Sequence, residues 1–210
     1  MHIHDVGERA LLVEVADVAA AQATYSALRA LLDDGGPELP PPTDVVPAAR
    51  TVLVDGLGDL DRWRVVLAEL AEGADVAAAK TVAGREVVIS MTYDGADLDV
   101  VAAEWECSAA DVVERHLGTK FRVAFCGFAP GFAYCTGDPA LPRVPRRDDP
   151  RPSVPAGSVA LAGDYCGVYP RDMPGGWQLI GTTEAVLFDP QREGPALLRP
   201  GDVVRFEVGS

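Results

Sequence analysis

Arg143, Arg146, Arg147 and Arg151 fall within a span of nine residues, in a loop stiffened by Pro142, Pro145, Pro150 and Pro152. A guanidinium is a planar fork of donors that fits a carboxylate or a phosphate, and it stays charged at any working pH. In a chain of net charge −14, four such groups in one loop point to an anion contact. The alternative is pairing with Asp148 and Asp149, or plain solvation, where exposed ion pairs contribute little.

Three further motifs flank this loop. In GFAPGFAY, Gly127, Pro130 and Gly131 alternate with Phe128, Phe132 and Tyr134. Glycines allow close backbone approach, and the rings can either wall a small-molecule pocket or fill a core. Ser158 follows the turn Pro155-Ala156-Gly157, and Tyr169 precedes Pro170; either hydroxyl can hydrogen-bond a ligand. The run Pro174-Gly175-Gly176-Trp177 ends in an indole that can cap a pocket, meet a partner or serve as a buried anchor. Ser158 would act as a nucleophile only with a base in reach, and His116 is the candidate. His116 also falls in the last turn of an expected helix, where the dipole stabilises a histidine.

Other chemistries find little support. Nothing matches G-x-x-x-x-G-K-[ST], and Lys80 and Lys120 both lie outside the glycine-rich loops. There is no G-x-S-x-G elbow. Cys107, Cys126, Cys135 and Cys166 contain no C-x-x-C pair, so they read as small apolar fillers in a reducing compartment. His2 and His4 have a ligand-like spacing but sit at a chain end, a poor metal platform, and no metal is expected.

From Phe125 to Asp189 the chain carries nine of its 21 glycines and nine of its 17 prolines, with aromatics between them. That composition describes long loops of fixed shape, the usual seat of binding and catalysis. GFAPGFAY, PRRDDPR, VPAGSVALAG, VYP and PGGWQLIG occur here in that order, and together they resemble the KipI / allophanate hydrolase subunit 1 family. Weaker matches at GERALLVEV, ARTVLVD, TYDGADL and LLRPGDVVRF extend the resemblance over nearly the whole chain. One departure is Thr182, where the family usually has arginine.

The resemblance implies a non-autonomous subunit of an ATP-dependent 5-oxoprolinase, which opens 5-oxo-L-proline to L-glutamate. It implies two partner polypeptides, one KipA-like and one LamB/YcsF-like, with ATP bound by the complex. Phosphorylating the lactam oxygen would make a leaving group, and that step needs cations near developing oxyanions. Arg147 and Arg151, with His116, are the catalytic candidates on this reading. Gly127, Phe128, Pro130, Gly131, Tyr134, Arg146, Gly157, Ser158, Tyr169, Gly175, Gly176 and Trp177 are the binding candidates. Two rival readings are a regulatory protein inhibiting a sensor histidine kinase and a subunit of a urea- or allophanate-type amidohydrolase or carboxylase.

The elements that must position these residues divide near Gly84. Before it, a strand at Ala10–Val15, a helix over 18–32 capped by Asp17, a strand at Thr51–Val54, a helix capped by Asp59 and a strand from Val76 suggest β-α-β-β-α-β. The expectation is an α+β chain with a ferredoxin-like domain at 1–84. Beyond it, alternation at Val87, Ile89, Met91 and Tyr93 restarts the pattern. Two short helices follow, capped by Asp97 and by Ser108 with Asp111. Short strands with frequent Gly/Pro turns then suggest a barrel over 85–210, which the resemblance sharpens to cyclophilin-like.

Hydrophobic content of 48% and charged content of 24% are ordinary for a soluble protein. The acidic balance disfavours nonspecific nucleic-acid or anionic-membrane binding. No apolar run approaches the length of a bilayer span and the start is no signal peptide, so a cytoplasmic location is expected.

Overall fold

The computed structural model describes residues 1–74 and 84–209. The chain divides into two compact units, Met1–Ala83 and Gly84–Ser210.

In the first unit, β1 (His2–Val6) and β2 (Ala10–Glu14) precede α1 (Val18–Asp33), and β3 (Asp44–Pro47) and β4 (Thr51–Asp55) precede α2 (Leu60–Gly73). The sheet runs β1-β2-β4-β3 and is antiparallel throughout. Period-two burial puts Leu11 and Val13 of β2 beside Val52 and Val54 of β4, beneath Leu28 of α1 and Trp63 and Leu67 of α2. Asp17 Oδ1 accepts the Ala20 N–H at 2.9 Å and Asp59 Oδ1 accepts that of Arg62 at 3.1 Å, so both helices begin at their expected caps.

The described elements therefore read ββαββα. Two strands escaped the sequence reading for physical reasons. Strand β1 is mostly exposed and shows no buried alternation, and β3 is a short edge strand at the end of a proline-rich segment. The strand expected from Val76 begins outside the described residues.

The second unit opens with β5 (Glu86–Met91), α3 (Leu98–Glu104) and α4 (Ala109–Gly118). Then come β6 (Phe121–Cys126), β7 (Ala133–Thr136), β8 (Arg151–Val154), β9 (Ser158–Ala162) and β10 (Tyr165–Val168). Strands β11 (Met173–Gly175), β12 (Gln178–Thr182) and β13 (Val203–Val208) complete it. Seven strands form one sheet, β12-β9-β10-β7-β6-β13-β5, in which β13 and β5 run parallel. Its two ends nearly meet: Thr92 and Thr182 exchange backbone hydrogen bonds of 2.8 and 2.9 Å, making a nearly closed barrel. Closure depends on Gly181, where a methyl group would lie 2.1 Å from the Thr92 carbonyl oxygen.

Strand β9 shows how one short sequence serves two cores. Val159 and Leu161 face the barrel interior with Ile89, Val123, Ile180 and Phe206. Ala160 and Ala162 face outward and are covered by Phe132, Tyr169, Met173 and Trp177. This outer cluster is backed by the β8–β11 ribbon and carries the aromatic side chains of the candidate site.

Candidate functional site

Asp97 begins α3, yet its carboxylate does not cap that helix. Oδ1 accepts Arg151 Nη2 at 2.7 Å and Arg147 Nη1 at 3.3 Å, and Oδ2 accepts the Leu179 N–H at 2.7 Å. The Asp97 N–H returns a 2.9 Å bond to the Leu179 carbonyl, so the residue covers the edge of β12 like a one-residue strand. The Asp97 side chain is only 4% exposed. A carboxylate taken this far from water persists because two guanidiniums and an amide satisfy it.

This changes the meaning of the arginine loop. Asp97, and neither Asp148 nor Asp149, is the carboxylate partner of Arg147 and Arg151. Arg143 pairs with Asp164 at 2.8 Å. Arg146 instead places its guanidinium carbon 6.0 Å from the centre of the Trp177 ring system. The peptides on either side of it are pinned to the PGGWQ run. Gln178 Nε2 donates to the Pro145 carbonyl at 3.1 Å, and the Arg147 N–H donates to the Gly176 carbonyl at 2.8 Å.

Arg146 forms one wall of a cavity of about 270 Å³. Phe128, Phe132, Tyr134, Tyr169 and Trp177 supply its aromatic surface, and Pro150, Pro174, Gly175 and Gly176 its rim. The rings hold one another edge to face, with Phe132 5.4 Å from both Tyr169 and Trp177 and 5.0 Å from Tyr134. Phe132, Tyr169 and Trp177 are buried, so they are core and cavity wall at once. Phe128 is 65% exposed and has a left-handed backbone, φ 70°, a conformation uncommon for a non-glycine residue. Gly175 is required here, since a methyl group on it would sit 2.1 Å from the Tyr169 hydroxyl oxygen.

Burial raises the Tyr134 and Tyr169 phenols above the ordinary tyrosine range, with the charge of Arg146 acting in the opposite sense on both. Each phenol thus keeps its proton at neutral pH and can donate. On its other side Arg146 borders a wider, open groove of about 550 Å³ that also includes Glu104, Arg143 and Tyr165.

The remaining candidates lie elsewhere. His116 is fully buried, with Nδ1 2.7 Å from the Tyr93 hydroxyl and Nε2 3.4 Å from Cys166 Sγ, between Phe121 and Phe206. Burial lowers its pKa to about 3, so the ring is neutral. Ser158 is buried in β9, and with both His116 nitrogens facing other partners the two residues form no nucleophile–base pair. Gly157 turns the chain into β9 at φ 79°, its methyl position occupied by the Thr183 carbonyl. Gly127 and Pro130 are exposed in the loop that presents Phe128, and Gly131 packs that loop on Leu187 and Phe188.

Thr182, at the position of the family's usual arginine, donates its hydroxyl to Asp94 at 2.9 Å. All four cysteines are free thiols. Burial pushes Cys126 up to about 11 and raises Cys135 and Cys166 well above the ordinary range. His4 pairs with Glu14 at 3.1 Å. Among the described residues no group of three or more His, Cys, Asp or Glu side chains is arranged to hold a metal ion. No helix there is long and apolar enough to cross a membrane.

Sequence reasoning missed Asp97 as a site residue and read it only as a cap. Its partners lie 50, 54 and 82 residues away, and no local pattern announces pairings at that range.

Comparison with known proteins fits this architecture. A family model described as carboxyltransferase domain, subdomain C and D, matches residues 1–198. The B component of the 5-oxoprolinase of Escherichia coli O157:H7 is 52% identical over 125 residues, covering 58% of this chain and 57% of that protein. The corresponding 5-oxoprolinase B component of Bacillus subtilis (strain 168) is 45% identical over 144 residues, or 67% of this chain and 57% of that protein. The chain thus spans 57% of the length of each of these relatives. Among solved structures, TTHA0988 superposes with a TM-score of 0.76 at 36% identity, covering 97% of this chain and 40% of that one. The Kluyveromyces lactis urea carboxylase superposes with a TM-score of 0.74 at 18% identity, covering 99% of this chain and 22% of that one, a likeness of fold alone. The chain belongs to the carboxyltransferase subdomain C and D family, within its KipI / allophanate hydrolase subunit 1 members.

Proposed function

We propose that the chain is the B-type component of an ATP-dependent 5-oxoprolinase and that its aromatic cavity is a small-molecule site of the assembled enzyme. The observation that carries this reading is the convergence of seven candidate residues on one cavity: Phe128, Tyr134, Arg146, Tyr169, Gly175, Gly176 and Trp177. The names of the relatives support the reaction. At about 270 Å³ the cavity suits a ligand of a few heavy atoms, below the range of ~300–1,000 Å³ typical of pockets for larger ligands.

The cavity is too small to enclose a whole nucleotide, and the KipA-like and LamB/YcsF-like partners are the proposed source of the ATP site. The contribution of this chain is to bind and orient the lactam and to exclude water around it. His116 and Ser158, buried among core side chains, stand outside this scheme. Arg147 and Arg151, committed to Asp97, hold the loop.

The same reading takes the chain as two domains meeting at residue 84, the first ferredoxin-like and the second a cyclophilin-like barrel. The two compact units and the closing Thr92–Thr182 bridge support it. The unmatched thiols suit a cytoplasmic protein.

The test is 5-oxoproline-dependent ATP hydrolysis, with glutamate detected, for the chain alone and mixed with candidate KipA-like and LamB/YcsF-like partners. Turnover in the full mixture and none in the chain alone is the expected result. No turnover in an associated, folded mixture would redirect the search to another amide substrate. Failure of the chains to associate would remove the enzyme reading altogether.

A further inference from the structure

We infer that Arg146 is the carboxylate-binding residue of the aromatic cavity, which takes a small cyclic carboxylic acid with its ring against the aromatic wall and its charge on the guanidinium. This rests on the reading of the cavity as the small-molecule site and deepens it by naming the residue that sets specificity.

Three observations lead there. The first is elimination among the cations: Arg143 is held by Asp164, while Arg147 and Arg151 share Asp97. Among the described residues Arg146 has no carboxylate within ion-pair distance, and its neighbour is an aromatic ring. The second is placement. Arg146 is exposed, yet the peptides flanking it are fixed by Gln178 and Gly176, so its backbone is held at the cavity wall with the guanidinium carbon 6.0 Å from the Trp177 ring centre. A guanidinium whose backbone is fixed at the wall is a planar fork within reach of the cavity and can offer a carboxylate two parallel N–H bonds. The third is complementarity. The neutral phenols of Tyr134 and Tyr169 add donors near the same charge, while Phe132 and Trp177 present flat apolar surface.

Size and charge together select the ligand. A volume of about 270 Å³ admits a five-membered ring with one carboxylate. A neutral amide of similar size, such as 2-pyrrolidinone or urea, would leave Arg146 without its partner. The cavity should therefore distinguish acids from neutral amides more sharply than it distinguishes a lactam from a saturated ring.

Calorimetric titration of the chain, alone and in complex with its partner polypeptides, with 5-oxo-L-proline, cyclopentanecarboxylate and 2-pyrrolidinone tests this. The unchanged chain should bind both acids and bind 2-pyrrolidinone at least tenfold more weakly. Arg146→Ala should lose about 10- to 100-fold in affinity for the acids, the range for a hydrogen bond to a charged group, and nothing for 2-pyrrolidinone. Arg146→Lys should recover part of the loss, and Trp177→Phe should weaken all three ligands alike.

Equal binding of the acids by the unchanged chain and Arg146→Ala, or no binding of either acid at millimolar concentration, overturns the assignment. The enzyme reading fails separately. Acid binding that depends on Arg146, with no ATP-dependent ring opening in the full mixture, keeps the carboxylate site and removes the reaction. Ring opening that is indifferent to Arg146→Ala does the reverse.

Discussion

Asp97 carries more of this site than any residue that faces solvent. Its carboxylate joins two guanidiniums and a β12 amide, and its removal would leave two partly buried cations without their acceptor. Asp97→Ala should cost about 3–5 kcal/mol in urea unfolding of the second unit, the range for breaking a buried pair by deleting one partner. Asp97→Asn, which keeps an acceptor for the Leu179 N–H, should cost less. His116 makes a second residue-scale prediction. Its folded pKa of about 3 lies below the ordinary 6.5, so the unfolded chain takes up the proton first as pH falls. Stability is full above pH 6.5 and declines towards pH 3, with a limiting slope of about 1.4 kcal/mol per pH unit from this group. Urea titrations at pH 7, 6 and 5 should show that slope, and His116→Gln should remove it. The aromatic and arginine candidates were legible in the sequence because each motif is local. Their allocation was not, because burial decided that Arg147 and Arg151 serve Asp97 while Arg146 faces the cavity.

Among the elements, the barrel seam between β5 and β12 is the most exacting. One bridge joins the sheet's ends, and Gly181 allows it by leaving room for the Thr92 carbonyl. Gly181→Ala should destabilise the second unit by about 1–3 kcal/mol through overpacking against backbone. Gly118→Ala, at the end of α4 with no atom within 4 Å, should be neutral or stabilise by up to about 1 kcal/mol. Thermal melts of the two variants would separate them clearly. Elements with a buried face or a capped start could be read from sequence: α1, α2 and the Ser108–Asp111 capping box of α4 lie where their signals fall. Strands β1 and β3 could not, since exposure in one and proline in the other erase the alternation that marks a strand. The seam was invisible for another reason. Thr92 and Thr182 are 90 residues apart, and no periodicity encodes which edges of a barrel meet.

At the scale of the whole molecule, the two units keep separate cores. The buried cluster of the first unit draws on β2, β4, α1 and α2, while the two clusters of the second draw on residues from Ile89 onward. Residues 84–210 expressed alone should therefore fold, retain the dispersed NMR spectrum of a packed barrel and keep the Arg146 cavity. A collapsed fragment without fixed side-chain signals would show that the first unit is needed for the second. The Asp97 cluster also has a consequence for the order of events in folding. Its bonds reach across 50, 54 and 82 residues, whereas the β9–β10 hairpin closes within a few. Closing long loops is entropically costly, so local hairpins form first and such contacts form late. The cavity acquires its shape only with such long-range contacts, so Trp177 should report a refolding phase slower than formation of the local hairpins. Any ligand or partner protein that recognises Arg146 and Trp177 together would then be recognising completion: a half-folded chain would have nothing to show it.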